Sequence, residues 1–236
     1  MRAFVVAWRT LVSIYNELFF MLGVSVLWWI TGGIFVGLAA LFAWPMLQIG
    51  GPVWLAPLVA IPAGPAMAGI ANAGRRVARD LHVDHGFFWD GFRVYWKKAL
   101  ALNAISMGVL ALLMLNLLFY LSQENAVVRI LAFLFLYLIV FWLSVQFYIF
   151  PILVGMKEPS LFPAVRMAAA MAFGNPLFSL VLLVIAAALT FLSIVLAIMI
   201  IFAWPALMAL LGEHSLILML QRAGIKIEDG SVPPKG

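Results

Sequence analysis

The stretch "LFFMLGVSVLWWITGGIFVGLAALFAWPMLQIGGPVWLAPLVAIPAGPAMAGIANAG", residues 18–74, contains 57 residues and no Asp, Glu, Lys or Arg. A helix needs about 20 apolar residues to cross the hydrocarbon core of a bilayer. The stretch is therefore long enough for two crossings, and the Pro and Gly residues within 42–54 mark the turn between them. Because long apolar runs favour helices over the alternating strands of a barrel, the sequence predicts a helical hairpin in a membrane.

Three further uncharged stretches follow along the chain, at residues 99–123, 130–156 and 167–212. The first two are long enough for one crossing each, and the third is long enough for two. Its internal break is "FAWPA", residues 202–206, which repeats the Phe-Ala-Trp-Pro of the first stretch. The sequence therefore predicts an all-α integral membrane protein of about six transmembrane helices, roughly at 20–44, 53–74, 99–121, 129–155, 176–200 and 205–221.

The composition of the whole chain supports the same class. Of its 236 residues, 67% are hydrophobic and only 10% are charged, with a mean hydropathy of +1.15. Soluble domains carry about 25% charged residues. The absence of cysteine excludes disulfides, thiol catalysis and Cys-ligated metals. The N-terminal segment has no small-residue cleavage site after a compact apolar core, so we expect it to be retained.

Basic residues are distributed unequally between the two sides of the predicted spans. One side holds 13 of the 14 Lys and Arg residues, and Arg129 alone falls on the other side. Short loops rich in Lys and Arg stay in the cytoplasm. The sequence therefore predicts a multi-pass membrane protein with both termini in the cytoplasm. The net charge of +5 is explained by this asymmetry, and we expect no nucleic-acid partner.

A short amphipathic segment precedes each predicted hairpin, at residues 2–16, 86–98 and 160–175. We name these segments elbows, because their split between aromatic and basic residues is typical of helices that lie in the membrane interface. The predicted apolar stripe of the first elbow is Phe4, Trp8, Leu11 and Tyr15, and the predicted aromatic stripe of the second is Phe88, Phe92, Tyr95 and Trp96. Elbow and hairpin together suggest an internal repeat of about 80 residues. The sequence predicts one membrane domain, 1–236, built from units at roughly 1–80, 81–157 and 158–225, with a short polar tail at 226–236.

Two motifs carry a resemblance to a known family. "IPAGPAMAGIANAGRRVARD", residues 61–80, and "FFWDGFRVYWKKALALN", residues 87–103, resemble the YesL-like family of bacterial integral membrane proteins. The matching positions are the Pro of the small-residue motif, the basic helix end and the aromatic pair of the elbow: Pro65, Arg75, Arg76, Arg79, Phe88 and Phe92. The resemblance implies an accessory component of the bacterial inner membrane that is associated with carbohydrate uptake and utilisation and has no catalysis of its own. A transporter subunit is then a candidate partner.

Glu213 and His214 are the ionisable residues within the predicted spans that attract most interest. A charge at membrane depth is costly unless it is paired or hydrated, so such a residue is a functional candidate, here for a proton relay. The alternative is a shorter, tilted or re-entrant sixth span that leaves the pair near water. Asn72 and Asn103 are uncharged polar residues near span ends, and we expect them to hydrogen-bond between helices.

The connector "RDLHVDHGFFWD", residues 79–90, combines histidines with carboxylates at short spacing. Such a set can bind a metal, but a solvated connector is the favoured interpretation, and we expect no metal and no other cofactor. The basic residues from Arg75 to Lys98 are expected to attract anionic lipid. An acidic surface of a partner protein would be attracted equally.

Three functions compete on these observations. The first is the accessory role implied by the resemblance. The second is a small-molecule transporter or channel, with a pathway between the helical hairpins and a buried Glu213 in it. The third, a lipid-modifying enzyme, would need an essential His82 or His85. The chain has no phosphate loop, no nucleophile motif and no HExxH, so no enzymatic activity is predicted.

Overall fold

The computed structural model describes residues 2–222, and within this range the chain forms helices and no strands. The α-helices in chain order are α1 (Arg2–Asn16), α2 (Leu18–Trp28), α3 (Ile34–Gln48), α4 (Ala56–Val59), α5 (Gly64–Val77), α6 (Gly86–Leu121), α7 (Ala126–Arg129), α8 (Leu131–Gly155), α9 (Leu161–Gly174), α10 (Pro176–Val195), α11 (Ile198–Phe202) and α12 (Trp204–Arg222). The predicted polar tail at 226–236 lies outside the described residues.

Within residues 2–222, five helical segments are apolar and long enough to cross a membrane, as in a multi-pass membrane protein. They are Leu18–Gln48, Val53–Val77, Gly86–Leu121, Ala126–Gly155 and Pro176–Val195. Each contains one of the first five predicted spans, apart from the last few residues of 176–200. The sixth predicted span corresponds to α12, a helix of 19 residues that is not among these five. The prediction of a sixth crossing therefore stays a prediction.

The three elbows differ in how they join the following helix. The first and third are separate helices, α1 and α9, whereas the second continues without a break into the third span as the 36-residue α6. The chain turns at Glu17 and at Asn175, and it has no comparable break near Lys98. The equivalence of the three predicted units is not established by these helices.

The exposure of the elbow residues shows that part of the prediction for the elbows, that they lie in the membrane interface, is wrong. On α1 the predicted apolar stripe is exposed, as an interfacial helix requires, and Tyr15 reaches 80%. On α6 two predicted members of the aromatic stripe, Phe88 and Tyr95, are buried. Phe88 packs on α5, where a Cβ at Gly69 would lie 2.9 Å from its ring. The aromatic face of the second elbow therefore serves helix packing more than lipid contact.

Small residues allow α5 and α6 to pack very closely. A Cβ at Gly91 of α6 would lie 2.7 Å from the Cβ of Asn72 and 2.9 Å from the carbonyl oxygen of Ala68. These approaches leave no room for a side chain, which is the usual reason for glycine between membrane helices. The contact fixes the position of α5, and its C-terminal end then forms one wall of the site described below.

The second span is discontinuous around two prolines. Short 3₁₀ turns, Val53–Leu55 and Ile61–Ala63, flank α4 before α5 begins. Pro65 has no N–H, so the carbonyl of Ile61 lacks its usual helical donor. The side-chain amide of Asn103, on α6, donates to the carbonyls of Ile61 and Ala60, each at 2.9 Å. The two carbonyls at the break thus accept hydrogen bonds from the neighbouring helix. The predicted hydrogen bond between helices at Asn103 is confirmed.

Candidate functional site at the basic end

The helix ends that carry the basic residues converge at one end of the bundle, which we name the basic end. Arg75 Nη1 donates to the carbonyl of Val154 at 2.8 Å, and the Tyr95 hydroxyl donates to the same oxygen at 3.3 Å. Lys98 Nζ donates to the carbonyl of Pro159 at 2.8 Å. Positive groups at the C-terminal end of α8 satisfy carbonyls that the helix leaves free, and they complement its dipole.

Only part of the predicted basic surface faces outward. Arg75 is half-buried, and Arg76 is occupied by the carbonyl of His82, at 2.8 Å, and by the ring of Phe87, whose centroid lies 3.5 Å from the guanidinium carbon. Arg93 and Lys97 on α6 are exposed. The first arginines of the motif therefore hold the structure together, and the exposed positive charge lies further along the chain.

Glu213 lies in the middle of α12 and is completely buried. Its neighbour Gly212 packs against α8, where a Cβ at Gly212 would lie 2.5 Å from the carbonyl oxygen of Phe147. That carbonyl lacks its usual helical donor, because Pro151 has no N–H. On another side α5 approaches, since a Cβ at Gly74 would lie 3.5 Å from that of Ala209. Glu213 thus lies on α12 close to the positions where α5 and α8 pack against this helix.

The carboxyl group of Glu213 has an unusual environment. Within residues 2–222 neither of its oxygens has a hydrogen-bond partner. Arg75 and Arg79 lie close enough to attract it electrostatically. Removing a carboxylate from water costs several kcal/mol unless hydrogen bonds or a paired charge compensate. Attraction from a distance compensates only in part, so this group is costly for the fold.

His214 connects the same segment of α12 to α1. Its Nε2 lies 3.0 Å from the Ser13 hydroxyl, and its side chain is 8% exposed. The exposed part borders a cavity of about 490 Å³ between α1, α12 and the turn that follows α5. Of the sequence-predicted pair, Glu213 is therefore enclosed and His214 is reachable from outside.

The two charged residues Arg9 and Asp80 line this cavity, which we name the Arg9–Asp80 cavity. Polar side chains of Asn16 and Gln221 lie at its wall with the apolar ring of Trp8. Within residues 2–222 neither the Arg9 guanidinium nor the Asp80 carboxylate is engaged by a hydrogen bond or an ion pair with another residue. Both charges are therefore available to a bound molecule.

The backbone at Asp80 explains how its side chain reaches the cavity. After α5 the N–H of Leu81 bonds to the carbonyl of Arg76, at 3.0 Å, and the N–H of Asp80 bonds to that of Val77, at 3.1 Å. These are the two bonds of a Schellman motif, in which the residue before the last donor adopts a left-handed conformation and is usually glycine. Asp80 holds this place with φ 53°.

The histidines of the connector are not assembled into a metal site. Among the described residues no three His, Asp or Glu side chains come together in a way that would hold a metal ion. His85 packs against Gly23 of α2 and lies 5.3 Å, between centroids, from the ring of Phe20. His82 and Asp84 are exposed. The contact of His85 places the connector against α2.

The remaining predicted residues have structural contacts. Pro65 is buried in the first turn of α5, where its missing N–H is tolerated. Phe88 is buried, and Phe92 is half-buried with its ring centroid 6.3 Å from that of Phe88. Asn72 donates to the carbonyl of Phe87 at 2.7 Å, which confirms its predicted bond between helices. These residues position α5 and α6 and do not border the cavity.

The participation of α1 in the site was missed by the sequence analysis. Ser13 and His214 are 201 positions apart, and no local pattern links them. The signal that was present is Arg9, a charge on a helix whose exposed stripe is aromatic. Its partner across the cavity, Asp80, was considered only as one member of a possible metal set.

Comparison with known proteins yields no relative: no protein-family model, no curated protein and no solved structure matches this chain. The resemblance to the YesL-like family stays a prediction that rests on the two motifs quoted above. The five apolar helices are compatible with an integral membrane protein, and any more specific role has to be argued from the site itself.

Proposed function

We propose that this chain is a multi-pass protein of the bacterial inner membrane that acts as a small-molecule transporter or channel, with a pathway between its helical hairpins and no enzymatic activity. The observation that carries the proposal is the burial of Glu213 without a hydrogen-bond partner where α5 and α8 meet α12. A leucine at this position would give a more stable fold, because it carries no charged group that has to be removed from water. Ionisable residues at membrane depth mark ion and proton pathways.

Two further features support a pathway near Glu213. The second span is broken at Pro62 and Pro65, and discontinuous helices line the binding sites of many transporters. The Arg9–Asp80 cavity reaches His214, the residue next to Glu213. A proton or an ion could therefore pass between the cavity and the buried carboxyl group over a short distance.

The proposed orientation places the basic end in the cytoplasm. Both termini then lie inside, because Gln221, near the end of α12, lines the same cavity as Arg9 of α1. Arg222 near the end of α12 donates to the Asn175 side chain at 3.1 Å, at the start of α10. The cavity accordingly opens toward the cytoplasm, and the anionic lipids of that leaflet face Arg93 and Lys97.

The test is transport-coupled current from proteoliposomes on a solid-supported membrane. The full chain is challenged with a panel of monosaccharides, disaccharides and amino acids. We expect a current with at least one class of solute, and we expect Glu213→Gln to abolish it at unchanged protein content. Glu124→Gln, in an exposed turn, is the matched control and should retain the current. A Glu213→Gln variant with full current would refute the role of this carboxyl group.

A second proposal follows from the resemblance: the chain serves as an accessory component beside a carbohydrate-uptake system, bound to a transporter subunit. The observation that favours it is the exposed face of α6, where Arg93, Trp96 and Lys97 have no partner helix over them. The test is co-purification of the tagged protein from native membranes in mild detergent with mass spectrometry. A stoichiometric transporter subunit, lost on Arg93→Gln with Lys97→Gln, would favour this role; a protein purified alone would favour the first proposal.

A further inference from the structure

The Arg9–Asp80 cavity has a combination of groups that the proposed function does not explain. One positive and one negative side chain line the same space, and neither has a hydrogen-bond or ion-pair partner among the described residues. A volume of about 490 Å³ lies within the range of small-molecule sites, about 300–1,000 Å³. It is far larger than a single water molecule requires. The cavity is thus sized and charged for a ligand.

The pair of charges defines the class of ligand. Arginine presents a planar fork that suits a carboxylate or a phosphate, whereas an aspartate attracts an ammonium group. A simple anion would be attracted by Arg9 and repelled by Asp80, and a simple cation would meet the opposite pair of forces. We propose that the Arg9–Asp80 cavity binds a small zwitterion, with its carboxylate or phosphate at Arg9 and its ammonium group at Asp80.

The backbone of Asp80 supplies an independent argument. A left-handed conformation costs about 1–2 kcal/mol for an ordinary L-residue, and glycine avoids this cost. Asp tolerates the conformation better than most residues, but it remains strained relative to glycine. The chain therefore accepts strain at a position where glycine would complete the Schellman motif equally well. The gain is a carboxylate at the wall of the cavity, which glycine could not supply.

Two sources offer this chemistry. A free amino acid carries a carboxylate and an ammonium group, and the headgroup of phosphatidylethanolamine carries a phosphate and an ammonium group. The cavity is open to both, because Trp8 belongs to its lining and also to the exposed aromatic stripe of α1, where it is 68% exposed. Binding at this site does not depend on transport and stands apart from the proposed function.

The experiment measures the thermal unfolding of the purified full chain in detergent with increasing concentrations of soluble probes. The zwitterions are L-alanine and glycerophosphoethanolamine; sodium phosphate and ethylamine carry one of the two charges each. We expect a zwitterion to raise the Tm with saturation, as a ligand specific for the native state must. Arg9→Gln and Asp80→Asn should each weaken the apparent affinity about tenfold or more. Arg166→Gln, at an exposed residue outside the cavity, should leave it unchanged.

Every outcome decides a point. A shift with L-alanine alone identifies a solute, and a shift with glycerophosphoethanolamine alone identifies a lipid headgroup. The proposal is overturned if neither zwitterion shifts the Tm, if phosphate or ethylamine acts as well, or if the two cavity variants bind as the wild type does. Asn tolerates the left-handed conformation and Arg9 is exposed, so both variants are expected to fold. A loss of transport in Glu213→Gln with intact binding would separate this site from the pathway.

Discussion

Asn103 offers the sharpest test of how the broken second span is held together. Its side chain is 2% exposed and donates to the carbonyls of Ala60 and Ile61 at 2.9 Å each. Because Pro65 has no N–H, the carbonyl of Ile61 lacks its α-helical donor and accepts only a tighter turn bond from the N–H of Gly64. Asn103→Ala removes both side-chain bonds and leaves each carbonyl with only its turn bond, from the N–H of Ala63 or Gly64, in a medium that offers no water.

The expected loss follows from the number of bonds. Hydrogen bonds between membrane helices contribute on average about 0.6 kcal/mol and at most about 1.7 kcal/mol each. Two such bonds give a decrease of about 1–3 kcal/mol in the free energy of unfolding. Reversible unfolding by SDS in mixed micelles measures this quantity. Asn116→Ala is the control, because its amide bonds only within its own helix, to Leu112. Equal stability losses in the two variants would refute the reasoning.

Two further predictions concern glycines and the turn after α5. Gly91→Ala should lower the free energy of unfolding by about 1–3 kcal/mol, because the new Cβ would overlap Asn72. Gly108→Ala in the same helix, with open space around it, should instead raise it by up to about 1 kcal/mol; SDS unfolding distinguishes the two signs. Asp80→Gly should raise the Tm by relieving the left-handed strain and abolish the response to zwitterions, whereas a lower Tm would contradict the Schellman assignment.

The positions of the membrane helices were largely predictable, since they follow from uncharged stretches whose length is set by the bilayer. The continuity of α6 through Lys98 was not predictable, because hydropathy does not show whether an elbow and the following span form one helix or two. The role of Phe88 was also mispredicted. An aromatic residue on an amphipathic stripe can face lipid or protein, and the deciding factor was Gly69 on a helix 19 positions earlier.

Of the residues in the site, only Glu213 and His214 could be predicted from the sequence. Glu213 and His214 stand out because no other charge lies near them in the sequence. Their surroundings depend on helix contacts between distant segments, such as that of Ser13 with His214. The carboxylate of Asp80 belongs to the cavity through a backbone conformation that a hydropathy pattern does not encode. The sequence analysis therefore identified the buried ionisable residue Glu213 but not the Arg9–Asp80 cavity beside it.

The orientation of the bundle is open to a direct test, because the chain has no native cysteine. Lys97 and Glu124 are both exposed and flank the predicted third span, 99–121, on opposite sides. On the predicted six-span topology 13 of the 14 basic residues lie on one side, so the inverted orientation would place nearly all of them outside, against the charge bias of membrane insertion. A membrane-impermeant maleimide should therefore label Glu124→Cys in intact cells.

Lys97→Cys should react only after the cells are permeabilised. Labelling of each variant after denaturation shows that its thiol is reactive, so a missing signal in intact cells reports protection by the membrane. Labelling of Lys97→Cys from outside would invert the orientation and would place the Arg9–Asp80 cavity on the external face. A zwitterion would then have to reach it from outside the cell, whereas the proposed orientation exposes the cavity to cytoplasmic solutes and to the inner leaflet.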